Sequence, residues 1–234
     1  MSTAAVVLAG GSGERLGVAG GKQLLTLLGL PVLSWSLKAL DAVDDIGHIV
    51  VVCPAERLAE YRATAVDGLH LATPVTFAES GATRQESMAN GVEAVPEGFS
   101  VVAVHDGARP MIDPATIAGA LEALASRKDA DGIVVGHAAI DTTKVVEDGW
   151  IRSTPARNTL WIAQTPQIFR TEVLRAAILF AEHTGFEGTD DSSVVEHAGG
   201  KVLTFEGPRD NIKVTVAEDI AVAEAALTRR SGGE

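Results

Sequence analysis

Residues 4–23, AAVVLAGGSGERLGVAGGKQ, are the stretch from which the fold can be read. The apolar run 4–8 is long enough for a buried strand, and a glycine-rich segment follows it. Glycines after a strand leave backbone N–H groups with no Cβ atoms in front of them, which is a surface that suits phosphate. Arg15 and Lys22 add two cations. The stretch therefore predicts a strand followed by a polyphosphate-binding loop.

Two common phosphate-loop patterns do not fit this loop. The dinucleotide fingerprint requires a glycine where the chain has Leu16, and an acid after the second strand, where Cys53 and Pro54 stand. The Walker A pattern requires Ser or Thr directly after the lysine, where the chain has Gln23. The remaining pattern, G-G-x-G-x-R-L-G followed by K-Q, resembles the signature loop of sugar- and polyol-phosphate nucleotidyltransferases. A flexible turn between a strand and a helix is the alternative for this loop alone.

Composition limits the function classes. The 234 residues suffice for one sizeable domain. A net charge of −12 and 4% aromatic residues argue against a nucleic-acid-binding module, so an anionic substrate would need a local basic cluster. Cys53, the one cysteine, excludes a disulfide framework and most thiolate metal sites. The sequence shows neither a leader nor an apolar run of membrane-spanning length, so we expect a cytoplasmic protein without a membrane partner.

Apolar runs alternate with helical patterns along the chain, which indicates βαβ units and a mostly parallel sheet. Strands are predicted at residues 5–8, 48–52, 75–77, 101–104, 132–135 and 201–205. Helices are predicted at residues 32–42, 55–66, 83–95, 113–126, 171–184 and 191–198. We predict an α/β, Rossmann-like three-layer domain over residues 1–227, a disordered tail at 228–234, and ligands at the carboxyl ends of the strands.

The segment from His137 to Phe169 departs from this alternation, and residues 137–160 of it are predicted to form an arm. Two β-like runs, 142–146 and 150–153, are joined by Glu147-Asp148-Gly149, a hairpin turn signal. A two-stranded ribbon is barely stable alone in water, so it either packs back on the domain or docks on another subunit. We expect the second arrangement, a homodimer formed through this β-hairpin arm.

Asp106 is the first candidate for chemistry. It follows the apolar run 101–104, and an acid at the carboxyl end of a buried strand is well placed to hold Mg²⁺ against phosphate oxygens. A turn or helix cap is the alternative for this carboxylate. His105 has no second His or Cys at metal-ligand spacing, so we predict a packing residue there.

Two further segments contain polar residues near predicted helix starts. Residues 81–87, GATRQES, combine small residues with two hydroxyls and predict a capping box between Thr83 and Glu86. Residues 210–215, DNIKVT, predict a short strand containing Lys213. A second capping box, Thr215 with Glu218, would start a helix ending at Leu227. Taken alone, Lys213 reads as a solvated surface lysine, and residues 189–191 read as an acid-rich helix start.

Seven segments in chain order resemble the 2-C-methyl-D-erythritol 4-phosphate cytidylyltransferase family. They are LAGGSGERLG…KQ, SGATRQES, VHDGARP, DTTK, TPQIF, TDDSSVVE and DNIKVT, and the resemblance covers residues 4–227. It implies transfer of CMP from CTP to the phosphate of methylerythritol 4-phosphate, with Mg²⁺ and with release of pyrophosphate. This reaction is a step of the non-mevalonate isoprenoid pathway.

The resemblance also implies roles for individual residues. Catalytic charge stabilisation would come from Arg15, Lys22 and Lys213. Nucleotide binding would involve Leu8, Ala9, Gly10, Gly11, Ser12, Gly13, Gly81, Ala82, Arg84, Ser87 and Asp106. The polyol phosphate would contact Asp106, Arg109, Thr142, Arg157, Thr165, Thr189 and Lys213, with Thr142 and Arg157 reaching the site from a partner's arm. Asp106 would be the metal ligand. The family usually has proline before the lysine of K-Q, where this chain has Gly21.

Two alternatives are compatible with the motifs. Ribitol 5-phosphate cytidylyltransferase is a sister activity that uses the same type of loop and a similar polyol phosphate. A nucleotide-binding regulator, from a different class, would keep the pocket without turnover. The presence of Arg15, Lys22, Asp106 and Lys213 argues against the loss of catalysis.

Overall fold

The computed structural model describes residues 2–11 and 21–231. In this part of the chain the strands are β1 (Thr3–Leu8), β2 (Thr26–Leu27), β3 (Leu30–Pro31), β4 (Ile46–Cys53), β5 (Val75–Glu79), β6 (Val101–Asp106), β7 (Gly132–Ala138), β8 (Val145–Glu147), β9 (Trp150–Ser153), β10 (Trp161–Arg170) and β11 (Val202–Glu206). The helices are α1 (Val32–Asp41), α2 (Leu58–Tyr61), α3 (Arg84–Glu93), α4 (Pro114–Ser126), α5 (Thr171–Thr184), α6 (Asp191–His197) and α7 (Ala217–Ser231). Short 3₁₀ turns at Lys22–Leu24, Ala55–Arg57 and Arg157–Thr159 and a π turn at Arg62–Val66 complete them.

A mostly parallel sheet organises the domain. Its strand order is β11-β7-β10-β6-β1-β4-β5, and β10 runs antiparallel to both of its neighbours. The other four pairings are parallel. The hairpins β2-β3 and β8-β9 form separate two-stranded sheets. The predicted α/β fold is confirmed, and all six strands predicted from periodicity are present in the main sheet.

Helices cover both faces of the sheet because the central strands are apolar on both sides. In β1, Ala5 and Val7 face one core, which α1 and α4 close, whereas Ala4 and Val6 face a second core under α3, α5 and α6. Alternation of side chains along a strand produces this division. Strands that are buried on both faces appear in the sequence as continuous apolar runs, which is why they were predictable.

One strand was missed, and two local predictions are wrong. Strand β10 was not predicted, and it fills the gap between β6 and β7. Residues 210–215 form no strand, because Ile212 and Val214 instead pack into a small core under α7. Helix α7 continues to Ser231, beyond the predicted end at Leu227.

The start of α7 also differs from its prediction. Asp219, rather than Glu218, accepts hydrogen bonds from the backbone N–H and the hydroxyl of Thr215, at 2.6 and 2.8 Å. It also accepts one from the N–H of Val216 at 3.0 Å. The carboxylate therefore satisfies backbone donors that precede the helix, as a cap does.

The arm stands away from the rest of the chain. Strands β8 and β9 pair with each other, and every residue of both strands is exposed. Trp150, Ile151 and Val146 are 73%, 63% and 58% exposed. The predicted hairpin is confirmed, although its first strand begins at Val145 rather than at residue 142. Its apolar side chains have no cover within the described part of the chain.

Candidate functional site

Asp106 lies at the end of the central strand β6, where its carboxylate meets three cations. Its Oδ2 atom is 3.0 Å from Lys213 Nζ and 3.4 Å from Arg109 Nε, and its Oδ1 atom is 3.4 Å from Arg84 Nη2. The aspartate side chain is 8% exposed. Burial alone would raise the pKa of Asp106, but Arg84, Lys213 and Arg109 together hold it well below its usual range. The site therefore contains an ionised acid over the whole neutral pH range.

His105, the residue before Asp106, holds two neighbouring residues of the site in place. It is fully buried, and burial lowers its pKa to about 4, so the imidazole is neutral near pH 7. Its Nδ1 atom lies 3.0 Å from Thr165 Oγ1, and its Nε2 atom lies 3.3 Å from the Arg109 carbonyl oxygen. With Nε2 protonated, the ring donates to that carbonyl and accepts the threonine proton. His105 is thus a packing residue, as predicted, and it also orients Thr165.

A cavity of about 400 Å³ opens above the carboxyl ends of β1 and β6. It brings together residues far apart in sequence: Gly10 and Gly11, Lys22, several of residues 81–87, the end of β6 and the segment before α7. The predicted residues in its lining are Leu8, Gly10, Gly11, Lys22, Gly81, Ala82, Arg84, Ser87, Asp106 and Lys213. The cavity thus has a glycine-lined wall and a cationic floor, which suits a nucleotide with several phosphates.

The predicted residues of the loop are only partly described. Ser12, Gly13 and Arg15 lie outside the described residues, so their predicted roles have no counterpart here. Ala9 lies beneath the cavity rather than in its lining. Its N–H donates to the Val52 carbonyl oxygen at 2.7 Å, and its carbonyl accepts from Tyr61 Oη at 3.0 Å.

The loop before α3 is held by its own side chains. Ser87 Oγ accepts from the Gly81 N–H at 3.0 Å and donates to the Thr83 carbonyl at 2.9 Å. Thr83 Oγ1 accepts from the Glu86 N–H, and Glu86 Oε2 accepts from the Ala82 N–H at 2.7 Å. The predicted cap at Thr83 is confirmed. In a capping box Glu86 would accept from the Thr83 N–H, whereas here it accepts from the N–H of the preceding residue, Ala82. These bonds fix the backbone that forms one wall of the cavity.

Close packing explains two glycines at this wall. A Cβ atom on Gly10 would lie 2.4 Å from Ser80 Cβ, and one on Gly81 would lie 2.3 Å from Glu86 Cβ. Both separations are far inside van der Waals contact, so neither position can accept a side chain without movement of the loop. The backbone on both sides of the cavity is therefore exposed to a ligand.

A second cavity, of about 200 Å³, adjoins the first. Its lining includes the predicted acceptor residues Asp106, Arg109, Thr165, Thr189 and Lys213. Strand β10 brings Thr165 there, because the register of its pairing with β7 shifts between Ala163 and Gln167. Such irregularities redirect side chains and are common beside binding sites.

The two cavities share Arg84, Asp106 and Lys213. One ligand in each cavity would therefore meet its neighbour above the same carboxylate and the same two cations. The arm residues Thr142 and Arg157 do not join this arrangement within the chain. Both are exposed, and Arg157 Nη1 donates to the Ile140 carbonyl at 2.7 Å.

Several site residues were missed as contributors. Asp191 was assigned to a helix start, yet it is 1% exposed and pairs with Arg84. Asn211 Nδ2 donates to the Thr165 carbonyl at 2.9 Å, and the Asn211 carbonyl accepts from Arg109 Nη1 at 2.8 Å. Gln23 lines the larger cavity, and its buried Oε1 atom has no hydrogen-bond partner among the described residues. All three residues lie in the motifs on which the family resemblance rests, and those motifs were the signal that could have identified them.

The donor set also limits what metal the site could hold. Within residues 2–11 and 21–231, no three His, Cys, Asp or Glu side chains form a group able to hold a metal ion. Among the described residues, Asp106 is the one carboxylate that lines both cavities, since Asp190 lines only the smaller one and Asp191 pairs with Arg84. One carboxylate plus substrate phosphates is a donor set that Mg²⁺ accepts. The residues fit a cation that arrives with a polyphosphate.

No described helix is both long and apolar enough to cross a bilayer.

Comparison with known proteins agrees with this geometry. The family model described as 2-C-methyl-D-erythritol 4-phosphate cytidylyltransferase matches residues 3–229. A protein of that name from Geobacter metallireducens is 38% identical over 234 residues, covering 98% of this chain and 99% of its own length. One from Bacillus licheniformis is 37% identical over 234 residues, covering 100% of this chain and 99% of its own.

Solved structures show the same relationship. The 2-C-methyl-D-erythritol 4-phosphate cytidylyltransferase from Thermus thermophilus has a TM-score of 0.75 and 30% sequence identity, covering 96% of this chain and 98% of its own. The 4-diphosphocytidyl-2C-methyl-D-erythritol synthase from Anaerococcus prevotii has a TM-score of 0.84 and 26% identity, covering 97% and 96%. The likeness extends over nearly the whole of each chain.

Proposed function

The chain belongs to the 2-C-methyl-D-erythritol 4-phosphate cytidylyltransferase family, and from this membership we propose how its two joined cavities perform the family's reaction. The enzyme transfers CMP from CTP to 2-C-methyl-D-erythritol 4-phosphate in the non-mevalonate isoprenoid pathway. In our proposal CTP occupies the larger cavity and the polyol phosphate occupies the smaller one. The observation that supports this most is that Arg84, Asp106 and Lys213 line both cavities.

Charge determines the mechanism that we propose. An oxygen of the acceptor phosphate attacks the α-phosphorus of CTP and forms a P–O bond, while the bond to the β-phosphate oxygen breaks and its electron pair leaves with pyrophosphate. Both reactants are anions, and negative charge gathers on the α-phosphoryl oxygens in the transition state. Lys213 and Lys22, with Arg15, stabilise that charge, and the cavities align the reactants. The acceptor phosphate is ionised near neutral pH, so no general base is needed.

The remaining residues bind the two substrates. Gly10, Gly11, Gly81 and Ala82 allow the nucleotide to approach the backbone, and Ser87 keeps that backbone in place. Leu8 lines the same cavity, Ala9 supports it from beneath, and we assign nucleotide binding to Ser12 and Gly13 as well. Arg109, Thr165 and Thr189 surround the acceptor phosphate and hydroxyl groups.

Mg²⁺ is the cofactor that we assign to the reaction. Asp106 would hold it at the junction of the cavities, with the remaining ligands from CTP phosphates and water. When bound, the ion neutralises charge on the triphosphate. Chelation should abolish pyrophosphate release, and an Asp106→Asn variant should need about tenfold more Mg²⁺ for half-maximal rate. An unchanged requirement would remove the metal role from Asp106.

The arm gives the second part of the proposal, a homodimer in which residues 137–160 dock on a second copy. The exposed side chains of Trp150, Ile151 and Val146 form an apolar surface on a ribbon that is barely stable alone. Trp150→Ser should convert the dimer to a monomer in light scattering, whereas Leu179→Ser, at a leucine 66% exposed on α5, should not. A parent protein that is monomeric would contradict the proposal.

Complementation tests whether the arm completes the partner's site through Thr142 and Arg157. Lys213→Ala and Arg157→Ala variants are each expected to be weak. After mixing and reassembly, about one quarter of the sites would contain neither change if arms are exchanged. Recovery of activity to that level supports the exchanged arm. Activity that stays at the average of the two variants contradicts it.

The choice of acceptor needs a direct experiment. Purified protein is incubated with CTP and Mg²⁺ together with either methylerythritol 4-phosphate or ribitol 5-phosphate, and pyrophosphate is measured. We expect release with the first acceptor alone. Release only with ribitol 5-phosphate would show the sister activity, and CTP binding without release would show a regulator. We also propose that one domain over residues 1–227 performs the reaction, in the cytoplasm.

A further inference from the structure

Arg84 lies between two buried carboxylates, and the two contacts are unequal. Its Nη1 and Nη2 atoms donate to Asp191 Oδ1 and Oδ2 at 2.7 and 2.9 Å. From Nε and Nη2 it reaches Asp106 Oδ1 only at 3.4 Å. Charge-assisted N–H···O bonds normally measure about 2.7–2.9 Å, so the guanidinium forms a full bidentate pair with Asp191 and only long contacts with Asp106.

The position of Asp191 is fixed from outside the pair. It is the first residue of α6, and Asp190 caps that helix by accepting from the Ser193 N–H at 2.9 Å. The next residue, Ser192, donates its N–H to Gln167 Oε1 on β10 at 2.8 Å. Asp191 itself is 1% exposed, so it has no solvent to move into. The carboxylate is therefore an anchor, and Arg84 is the member of the pair that can turn.

The consequence concerns the oxygen of Asp106 that Arg84 faces. Lys213 and Arg109 both approach Oδ2. Oδ1 has only the two long contacts to Arg84 among the described side chains. This oxygen lies where the two cavities join, and it can accept a hydrogen bond from a ligand. A close pair between Arg84 and Asp106 would occupy it.

We propose that Asp191 is a positioning residue that holds Arg84 away from Asp106, so that Asp106 Oδ1 stays available to a hydroxyl group of the polyol phosphate. The inference rests on the proposed use of the smaller cavity by the acceptor. Asp191 touches neither substrate and acts only through Arg84. The pair also connects the start of α3, at the nucleotide wall, to the start of α6, at the acceptor wall.

The proposal makes an unusual prediction for two substitutions. Asp191→Asn removes the anchor, so Arg84 should turn to Asp106 and the KM for the acceptor at saturating CTP should rise about tenfold. Adding Arg84→Gln removes the competitor, so at saturating CTP the acceptor KM of the double variant should return to within about threefold of the parent value. Its KM for CTP and its kcat should still differ from the parent values, because Arg84 also lines the larger cavity. A merely structural pair would make the double variant at least as poor as the single one. The matched control is Glu196→Gln, which removes one exposed carboxylate from the same helix.

Thermal unfolding of each variant accompanies the kinetics. The double variant leaves no unpaired charge at this position, so it remains measurable even where Asp191→Asn fails to fold. An acceptor KM near the parent value in the double variant supports the proposal. An acceptor KM raised tenfold in the double variant, or an Asp191→Asn value equal to that of Glu196→Gln, overturns it. A Thr165→Ala variant with an unchanged acceptor KM would instead show that the acceptor does not use the smaller cavity.

Discussion

Lys213 provides the sharpest test of the proposed chemistry. Its Nζ atom lies 3.0 Å from Asp106 Oδ2, and the side chain lines both cavities. In the Lys213→Ala variant one preorganised cation is missing where charge develops during transfer. Loss of one such contact costs about 3–4 kcal/mol in the transition state, so we expect kcat to fall by about 10²–10³-fold. Initial rates of pyrophosphate release, with both substrates varied, measure this change.

Folding should be affected far less than turnover. The lysine side chain is 35% exposed, and Asp106 keeps its contacts with Arg84 and Arg109. Because the lysine is partly exposed and the buried Asp106 keeps two other cations, loss of this contact should cost about 1 kcal/mol of stability. The matched control is Lys201→Ala, which removes the same charge from an exposed site away from the cavities. The reasoning is refuted if Lys213→Ala keeps turnover within about threefold of Lys201→Ala.

Four other substitutions test separate parts of the structure. Lys22→Ala, at the edge of the larger cavity, should lower kcat by about 10²–10³-fold, and near-parent turnover would remove its catalytic role. Thr165→Ala should raise the acceptor KM about tenfold, because Thr165 lines the smaller cavity and its hydroxyl accepts the Asp106 N–H at 3.0 Å. Burial lowers the pKa of His105 to about 4 in the folded protein, from about 6.5 in the unfolded chain. As the pH falls from 7 to 4 the unfolded chain therefore binds a proton first, which should cost up to about 3 kcal/mol of stability. Urea unfolding of His105→Gln should lack this loss. Gly91→Val should destabilise the fold by about 1–3 kcal/mol in the same assay, since even a Cβ atom there would lie 2.3 Å from Val6 Cγ1.

The parallel core was predictable because of its local signals. Strands such as β1 and β6 are buried on both faces, so each is a continuous apolar run with glycines or polar residues directly after it. Their common direction places Leu8 and Asp106 at one edge of the sheet, and the structure pairs these two residues in register. The position of the two cavities at the carboxyl ends of β1 and β6 could therefore be predicted from the sequence.

Strand β10 and the segment 210–215 were not predictable by the same reasoning. Strand β10 contains Gln164, Thr165 and Pro166, and its pairing register shifts there, so it lacks both an apolar run and a clean alternation. Residues 210–215 do alternate, but no sheet neighbour is available to them, and a helix covers Ile212 and Val214 instead. Whether each segment joins the sheet depends on the strands that are available to pair with it. The residue pattern of one segment does not contain this information.

The pairing of Arg84 with Asp191 shows a further limit. The two residues lie 107 positions apart, and each has a sufficient local explanation, as a helix-start residue. Only the fold shows that both helices begin at the same edge of the sheet. The sequence therefore identified most residues around the cavities but not how they restrain one another.

A crystal structure with the product, 4-diphosphocytidyl-2-C-methyl-D-erythritol, tests the central claim most directly. We expect the cytidine in the cavity lined by Gly81 and Ala82, the polyol against Thr165 and Thr189, and the diphosphate within hydrogen-bond distance of Lys213 Nζ. A product bound outside the two cavities, or a diphosphate that Lys213 does not contact, would contradict it.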